Sequence, residues 1–228
     1  WGIFWIPVRA INDAGIHGLW SSAIWFAVPT CLLLPVAIFR FNSIKAGGLG
    51  LQITAILSGV ALLCYTLAFL YTDVVRAMLL YYLTPVWSTL LAAAVLRETI
   101  TWQRIVAIIL AIIGMLVIFG LGLNFPVPRN IGDWLGILSG FVWAIAIVRI
   151  RKHENHSAVA MTIGFFFWSM IASLILCFFL VSDQLPSIEK TFSVLPWLVP
   201  FMAIAVVPGA FASLWGPKYV STGLAGLL

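Results

Sequence analysis

Of 228 residues only 19 are charged, 12 Lys or Arg against 7 Asp or Glu, which is 8% of the chain where a soluble domain carries roughly 25%. Hydrophobic residues make up 63%, and the mean hydropathy is +1.14. So few charges cannot clothe a water-soluble fold. A soluble enzyme and a nucleic-acid binder are excluded, and the chain reads as a protein of the lipid bilayer.

Apolar runs here are unbroken rather than alternating, which favours spanning helices over a transmembrane barrel. In chain order, the first run goes from Trp1 to Val8 and is too short to cross. With no charged region before it and no small-residue cleavage site after it, it is not read as a signal peptide, and it is expected to be the end of a helix that starts earlier. Seven complete spans follow, at 19–39, 50–71, 74–96, 103–122, 133–150, 158–181 and 194–215. Another apolar run opens at Thr222 and stops at Leu228, so about nine helices are represented in what reads as a piece of a longer chain. Short connections rich in Gly, Pro, Asn and Asp separate the spans. The expected fold class is therefore an all-α polytopic membrane protein. Three cysteines, Cys31, Cys64 and Cys177, lie in apolar runs and imply no disulfide framework.

Loop charges set an orientation. Arg40, Lys45, Arg97, Arg104, Arg149, Arg151, Lys152 and Lys218 fall on one side, and Arg9, Arg76, Arg129 and Lys190 on the other. Eight against four places the first group in the cytoplasm by the positive-inside rule. The second side also collects Asp13, Asp73, Asp133, Asp183 and Glu189. Asp73 and Arg76, three apart at the start of a span, are expected to form an interfacial ion pair.

An internal repeat is visible. Tyr71, Ala77, Leu79 and Leu80 match Tyr219, Ala225, Leu227 and Leu228 at an offset of 148, and Trp1-Gly-Ile matches Trp143-Ala-Ile at 142. Each offset contains five spans, an odd number, so the two copies cross the membrane in opposite senses. That is the inverted-repeat plan in which a substrate site lies between halves.

The stretch Leu83-Thr-Pro85-Val-Trp-Ser-Thr-Leu-Leu-Ala-Ala-Ala-Val-Leu-Arg97-Glu98-Thr-Ile-Thr101-Trp-Gln103, with Gly114-Met-Leu-Val-Ile118 after it, resembles the EamA-type repeat of the drug/metabolite transporter superfamily. Pro85 and Glu98 have that repeat's spacing of thirteen, and Trp1-Gly2 is similar to the tryptophan-glycine pair of its first helix. Ala107 departs from the glycine usual early in the fifth helix. A second Pro/Glu motif would fall near 233 and 246, beyond this chain. The resemblance implies ten helices in two inverted five-helix repeats, here 1–123 and 133–228. It implies a multi-pass protein of the cell (inner) membrane that moves small organic metabolites, amino-acid-like solutes in particular, by alternating access and in the export direction. A small-solute channel and a non-transporting membrane scaffold are the alternatives. The implied partners are a small-molecule substrate and the lipid bilayer, with no nucleic acid, no cofactor, and either a monomer or a homodimer.

Helical spacing nominates the lining of a central pocket: Trp1, Trp5, Ser58, Tyr65, Tyr81, Pro85, Ser88, Ser139 and Trp143. Pro85 in mid-span removes one backbone bond and is expected to bend the helix and free the carbonyl of Tyr81. Tyr81, Ser88 and Ala92 share its stripe, Ser58 and Tyr65 share a face, and Ser139, Trp143 and Ala146 share another. Trp168 is a further aromatic candidate, whereas Trp20, Trp102, Trp134 and Trp197 sit where interface anchors belong. Glu98 is read as structural, pairing with Arg97 or Arg104 beside Thr101, a candidate N-cap. Gly114 is a motif position. Gly132, Gly136, Gly140 and Ala144 recur every four residues, the spacing for close helix packing, with Trp143 off that stripe. His153 and His156 lack further ligands nearby, so no metal is expected. No nucleophile elbow, zinc motif or phosphate-binding loop is present, so no enzyme is indicated. No Asp, Glu or His lies in the middle of a complete span, which argues against proton coupling.

Overall fold

The computed structural model describes residues 4–16, 18–119, 128–220 and 225. Among them the secondary structure is helical, without strands. Six helical stretches are long and apolar enough to cross a membrane: Gly18–Phe39, Gly48–Tyr71, Val74–Leu96, Ile131–Lys152, Ala158–Leu180 and Ile188–Lys218. A shorter apolar helix, Trp102–Phe119, occupies the fourth of the seven expected positions. The chain is an all-α polytopic membrane protein.

The elements are α1 (Trp5–Asp13), α2 (Gly18–Phe39), α3 (Phe41–Ala46), α4 (Gly48–Tyr71), α5 (Val74–Tyr81), α6 (Thr84–Leu96), α7 (Trp102–Phe119), α8 (Ile131–Lys152), α9 (Ala158–Leu180), α10 (Ile188–Phe201) and α11 (Val207–Trp215). Polar caps start several of them. Asn130 accepts the amide of Asp133 at 2.9 Å before α8, and Ser157 and Ser187 do the same for α9 and α10. The last span is longer than its hydropathy suggests, because Ser187 caps it well before the apolar run. A wide π-turn, Met202–Val206, joins α10 to α11 just before Pro208. Proline cannot donate to the carbonyl four residues back, and the widened turn absorbs the loss.

α4 is the central helix, with 72% of its apolar window buried. It packs most extensively against α8 and then α9, while α9 also packs on α2. Backbones approach closely where glycine allows. A Cβ on Gly59 would lie 2.9 Å from the amide nitrogen of Ser169 and 3.0 Å from the carbonyl of Phe165, and one on Gly164 would lie 2.7 Å from the Cβ of Ala55. Small residues at both contacts draw α4 and α9 together. Along the outside, Leu110, Phe178, Phe179 and Ile204 stand exposed, as lipid-facing side chains do.

Among the described residues, the long-range polar contacts at the helix ends join segments assigned to the same side. At the basic end, Arg149 reaches the carbonyl of Gly50, Arg151 reaches that of Lys218, and Lys218 reaches those of Glu154 and His156. At the opposite, acidic end, Arg9 reaches the carbonyls of Phe69 and Thr72, Trp20 that of Val181, and Lys190 that of Gly15. The crossing order read from loop charge and the folded chain therefore agree.

Candidate functional site

The span 74–96 is not one bent helix. It breaks at Tyr82 and Leu83, so that α5 ends at Tyr81 and α6 begins at Thr84. Pro85 accordingly lies in the first turn of α6 rather than in a helix interior, a correction to the mid-span bend expected from sequence. The first turn tolerates proline because its amide would have no intrahelical partner there. The carbonyl of Tyr81, left without that amide, accepts the hydroxyl of Thr84 at 2.5 Å. Across the break lies α8. A Cβ on Gly140 would meet the Tyr81 oxygen at 2.7 Å and Thr84 Oγ1 at 2.9 Å, so only glycine fits against this turn. Further along the stripe, Gly136 faces Ala77 and Gly132 faces Tyr71 and Thr72.

Beside the break is a cavity lined by Ala61, Leu62 and Tyr65 of α4, Tyr81 at the end of α5, Ser139 and Trp143 of α8, and Phe165 of α9. Tyr65 and Tyr81 rings stand 4.4 Å apart at 42°, and Trp143 and Phe165 6.2 Å apart at 56°. The space open to the centre of a water molecule is about 20 Å³, enough for a single water. Three polar atoms of the lining are buried without a hydrogen-bond partner: Tyr65 Oη, Ser139 Oγ and Trp143 Nε1. A buried donor with no partner costs about 1–3 kcal/mol, and here the three belong to residues that line one space.

Four of the nine residues nominated from spacing thus meet at one place: Tyr65, Tyr81, Ser139 and Trp143. Ser58 lies buried on α4 two turns before Tyr65 and donates to the carbonyl of Thr54 at 2.8 Å. Ser88 is buried and donates to the carbonyl of Pro85 at 3.2 Å. Neither lines the cavity, nor does Pro85. Trp5 is half-buried on α1, with the Arg9 guanidinium 5.8 Å over its ring. Trp168 donates to Gln52 at 2.9 Å, tying α9 to α4. Trp1 lies outside the described residues, as do the boundary between the two proposed repeats near 123 and most of the repeat match at 222–228. Ala61, Leu62 and Phe165 were not nominated. The first two fall between Ser58 and Tyr65 on the same helical face, while Phe165 is one of three consecutive phenylalanines on α9 that spacing does not tell apart.

Glu98 pairs with Arg104 at 3.2 Å. Thr101 stands just before α7, and its carbonyl accepts the amides of Arg104 and Ile105 at 3.0 and 3.2 Å. Gly114, on α7, faces open space. The expected pairing of Arg76 with Asp73 is corrected: Arg76 reaches Asp133 of α8 at 2.6 Å. Asp133 is fully buried. Its Oδ1 accepts the hydroxyl of Thr72 at 2.8 Å, and its Oδ2 accepts the amide of Arg129 at 2.9 Å as well as Arg76. Asn130 completes the network by donating to Thr72 at 3.1 Å. A buried carboxylate is stable here because three donors, one of them a guanidinium, compensate its charge. The His153 and His156 rings stack 5.4 Å apart, and no three His, Cys, Asp or Glu among the described residues gather as metal ligands.

A polytopic helical protein with a broken span beside a partly polar cavity suits solute passage, and the comparisons point the same way. The family model described as the EamA-like transporter family matches residues 1–120. The chain belongs to this family. This EamA-like chain is also 24% identical over 175 residues to a protein of Helicobacter pylori named as an uncharacterized transporter. That alignment covers 75% of the present chain and 57% of the Helicobacter protein, so the chain spans little more than half of its relative's length. No solved structure matches it. The family is one of membrane transporters, and the motif residues that carry the resemblance, Pro85, Glu98 and Gly114, all lie in the matched part.

Proposed function

We propose that this protein is a secondary transporter that exports small organic metabolites of amino-acid type, by alternating access between two inverted five-helix repeats. The observation that carries the reading is one cavity next to a broken helix, three of whose lining residues, Tyr65, Ser139 and Trp143, hold a buried, unpartnered polar atom. Broken helices at membrane depth occur where they line a cavity. A hydroxyl, a phenol and an indole N–H suit a carboxylate or carbonyl of the solute. The faces of Tyr65, Tyr81 and Trp143 suit an ammonium group. The lining carries no ionised side chain, so facilitated diffusion or exchange is favoured over proton coupling.

The test is flux in proteoliposomes of the full-length protein. Saturable uptake of an amino acid, accelerated by solute on the opposite side, supports the reading. Flux without trans-stimulation indicates a channel, and collapse of flux without a proton gradient overturns the uncoupled mechanism. A thermal-shift screen of amino acids, nucleosides and sugars identifies the solute. Loss of the hit in Trp143→Ala, with folding intact, ties it to the cavity, whereas a scaffold gives neither flux nor shift.

A further inference from the structure

Two polar latches join α8 to the first half of the chain, one at each end of the cavity. At the acidic end Asp133 is held by Thr72 and Arg76. At the basic end Arg149 donates through Nε to Thr54 Oγ1 at 3.3 Å and through its terminal nitrogen to the carbonyl of Gly50 at 3.2 Å. Their placement is even. Asp133 stands six residues before Ser139, and Arg149 stands six residues after Trp143, each about 9 Å along the helix. Together they bracket about 24 Å of α8, most of a hydrocarbon core of about 30 Å.

We infer that these are the two gates of the transport cycle: the Asp133–Arg76–Thr72 latch closes the acidic end, and the Arg149–Thr54–Gly50 latch closes the basic end. The inference rests on the transport reading above. Both latches are made in this structure, and the space between them holds about one water. Admitting a solute therefore requires one end to part. The groups that would separate are hydrogen-bonded and charged, so each end has two defined arrangements, paired across the helices or paired with entering water. Between the latches, α4 and α8 bury apolar and small side chains such as Ala61, Leu62, Ala146 and Ile147, which carry no such switch. Asp133 and Arg149 thus act as positioning residues that set which face of the membrane the cavity opens to.

The experiment reads access rather than flux. In full-length protein with every native cysteine replaced by alanine, Cys31, Cys64 and Cys177 among them, a Ser139→Cys reporter is modified by a membrane-impermeant thiosulfonate in right-side-out and in inverted vesicles. Asp133→Asn is expected to raise the modification rate from the acidic-end face by about tenfold or more, equivalent to about 1.4 kcal/mol of the closed state, with no rise from the other face. Arg149→Gln is expected to do the reverse. Thr72→Val and Thr54→Val each remove a single hydroxyl from one latch and are expected to shift access in the same two directions by less. They keep the test in force if either charge variant fails to fold. Equal increases from both faces, or no change in any of the four variants, overturn the inference. The readout needs no solute. Polarised access without flux would sink the transport reading alone, and flux with unpolarised access would sink the gates alone.

Discussion

The hydroxyl of Thr84 donates to the carbonyl of Tyr81 at 2.5 Å, and this one bond closes the gap that Pro85 leaves in the backbone ladder. Gly140 of α8 packs directly onto both atoms. Thr84→Val keeps the shape and removes the donor, leaving a buried carbonyl unpaired at a cost of about 1–3 kcal/mol. Gly140→Ala drives a methyl into the same carbonyl at 2.7 Å and is expected to cost about 1–3 kcal/mol by overpacking. Gly136→Ala meets the Ala77 carbonyl at 3.3 Å and should cost less. Gly114→Ala meets nothing within 4 Å and should leave stability unchanged or raise it, alanine being the better helix former by about 1 kcal/mol. Thermal denaturation in detergent, run on the four variants together, checks the order. A Gly114→Ala drop as large as that of Gly140→Ala would contradict it.

The cavity predicts an inverse pattern for stability and function. Tyr65 Oη, Ser139 Oγ and Trp143 Nε1 have no partner to lose, so Tyr65→Phe and Ser139→Ala should leave the melting temperature equal or higher. The same changes should weaken a stabilising solute by about tenfold for each hydrogen bond worth about 1.4 kcal/mol. Ser58→Ala is the control on the same face, since its hydroxyl is bonded to Thr54 at 2.8 Å. It should cost about 1 kcal/mol of stability and leave solute affinity alone. Melting curves with and without solute separate the two classes.

Sequence spacing reaches Tyr65, Tyr81, Ser139 and Trp143 because each is a polar-tipped side chain one or two turns from another polar or small residue on its own helix face. Phe165 stands in the run Phe165-Phe166-Phe167 of α9, where nothing in the spacing singles out one ring. Arg76 was matched to Asp73, the acid a local rule can see, while the acid it reaches, Asp133, is 57 residues away. Only tertiary packing along the Gly132–Gly140 stripe brings them together. Pro85 misled in another way. Proline was expected to bend a continuous helix, but a threonine hydroxyl just before it takes the orphan carbonyl, and the chain restarts a helix with proline in its first turn. The sidedness of the loops was readable because the charges are so few that nearly every one marks a membrane face.

His156 gives a pH dependence with a defined sign. It lies in the connection between α8 and α9, with its Nδ1 buried and unpartnered. Burial lowers its pKa below the usual 6.5, and the charges of His153, Lys218 and Arg149 lower it further. The folded protein therefore binds fewer protons at this site than the unfolded chain does. The contribution to stability is present above about 6.5 and is lost as the pH falls through the lowered folded value. Melting temperature should decline on acidification from pH 7 toward pH 5, and His156→Gln should flatten that decline. An unaltered slope in the variant would assign the effect to other groups.

Glu98 carries the family motif, yet Asp133 should matter more to stability. The Glu98–Arg104 pair leaves both side chains 23% exposed, whereas Asp133 is 0% and Arg76 11% exposed. Partly exposed pairs are worth about 0–1 kcal/mol, while removing one partner of a buried pair leaves the other charge uncompensated at about 3–5 kcal/mol. Asp133→Asn should therefore lower the melting temperature several-fold more than Glu98→Gln. A double Arg76→Gln/Asp133→Asn variant should recover part of the loss, because no uncompensated charge is then left at this buried helix end. A double variant no more stable than Asp133→Asn would show that the carboxylate is held chiefly by Thr72 and the Arg129 amide rather than by the arginine.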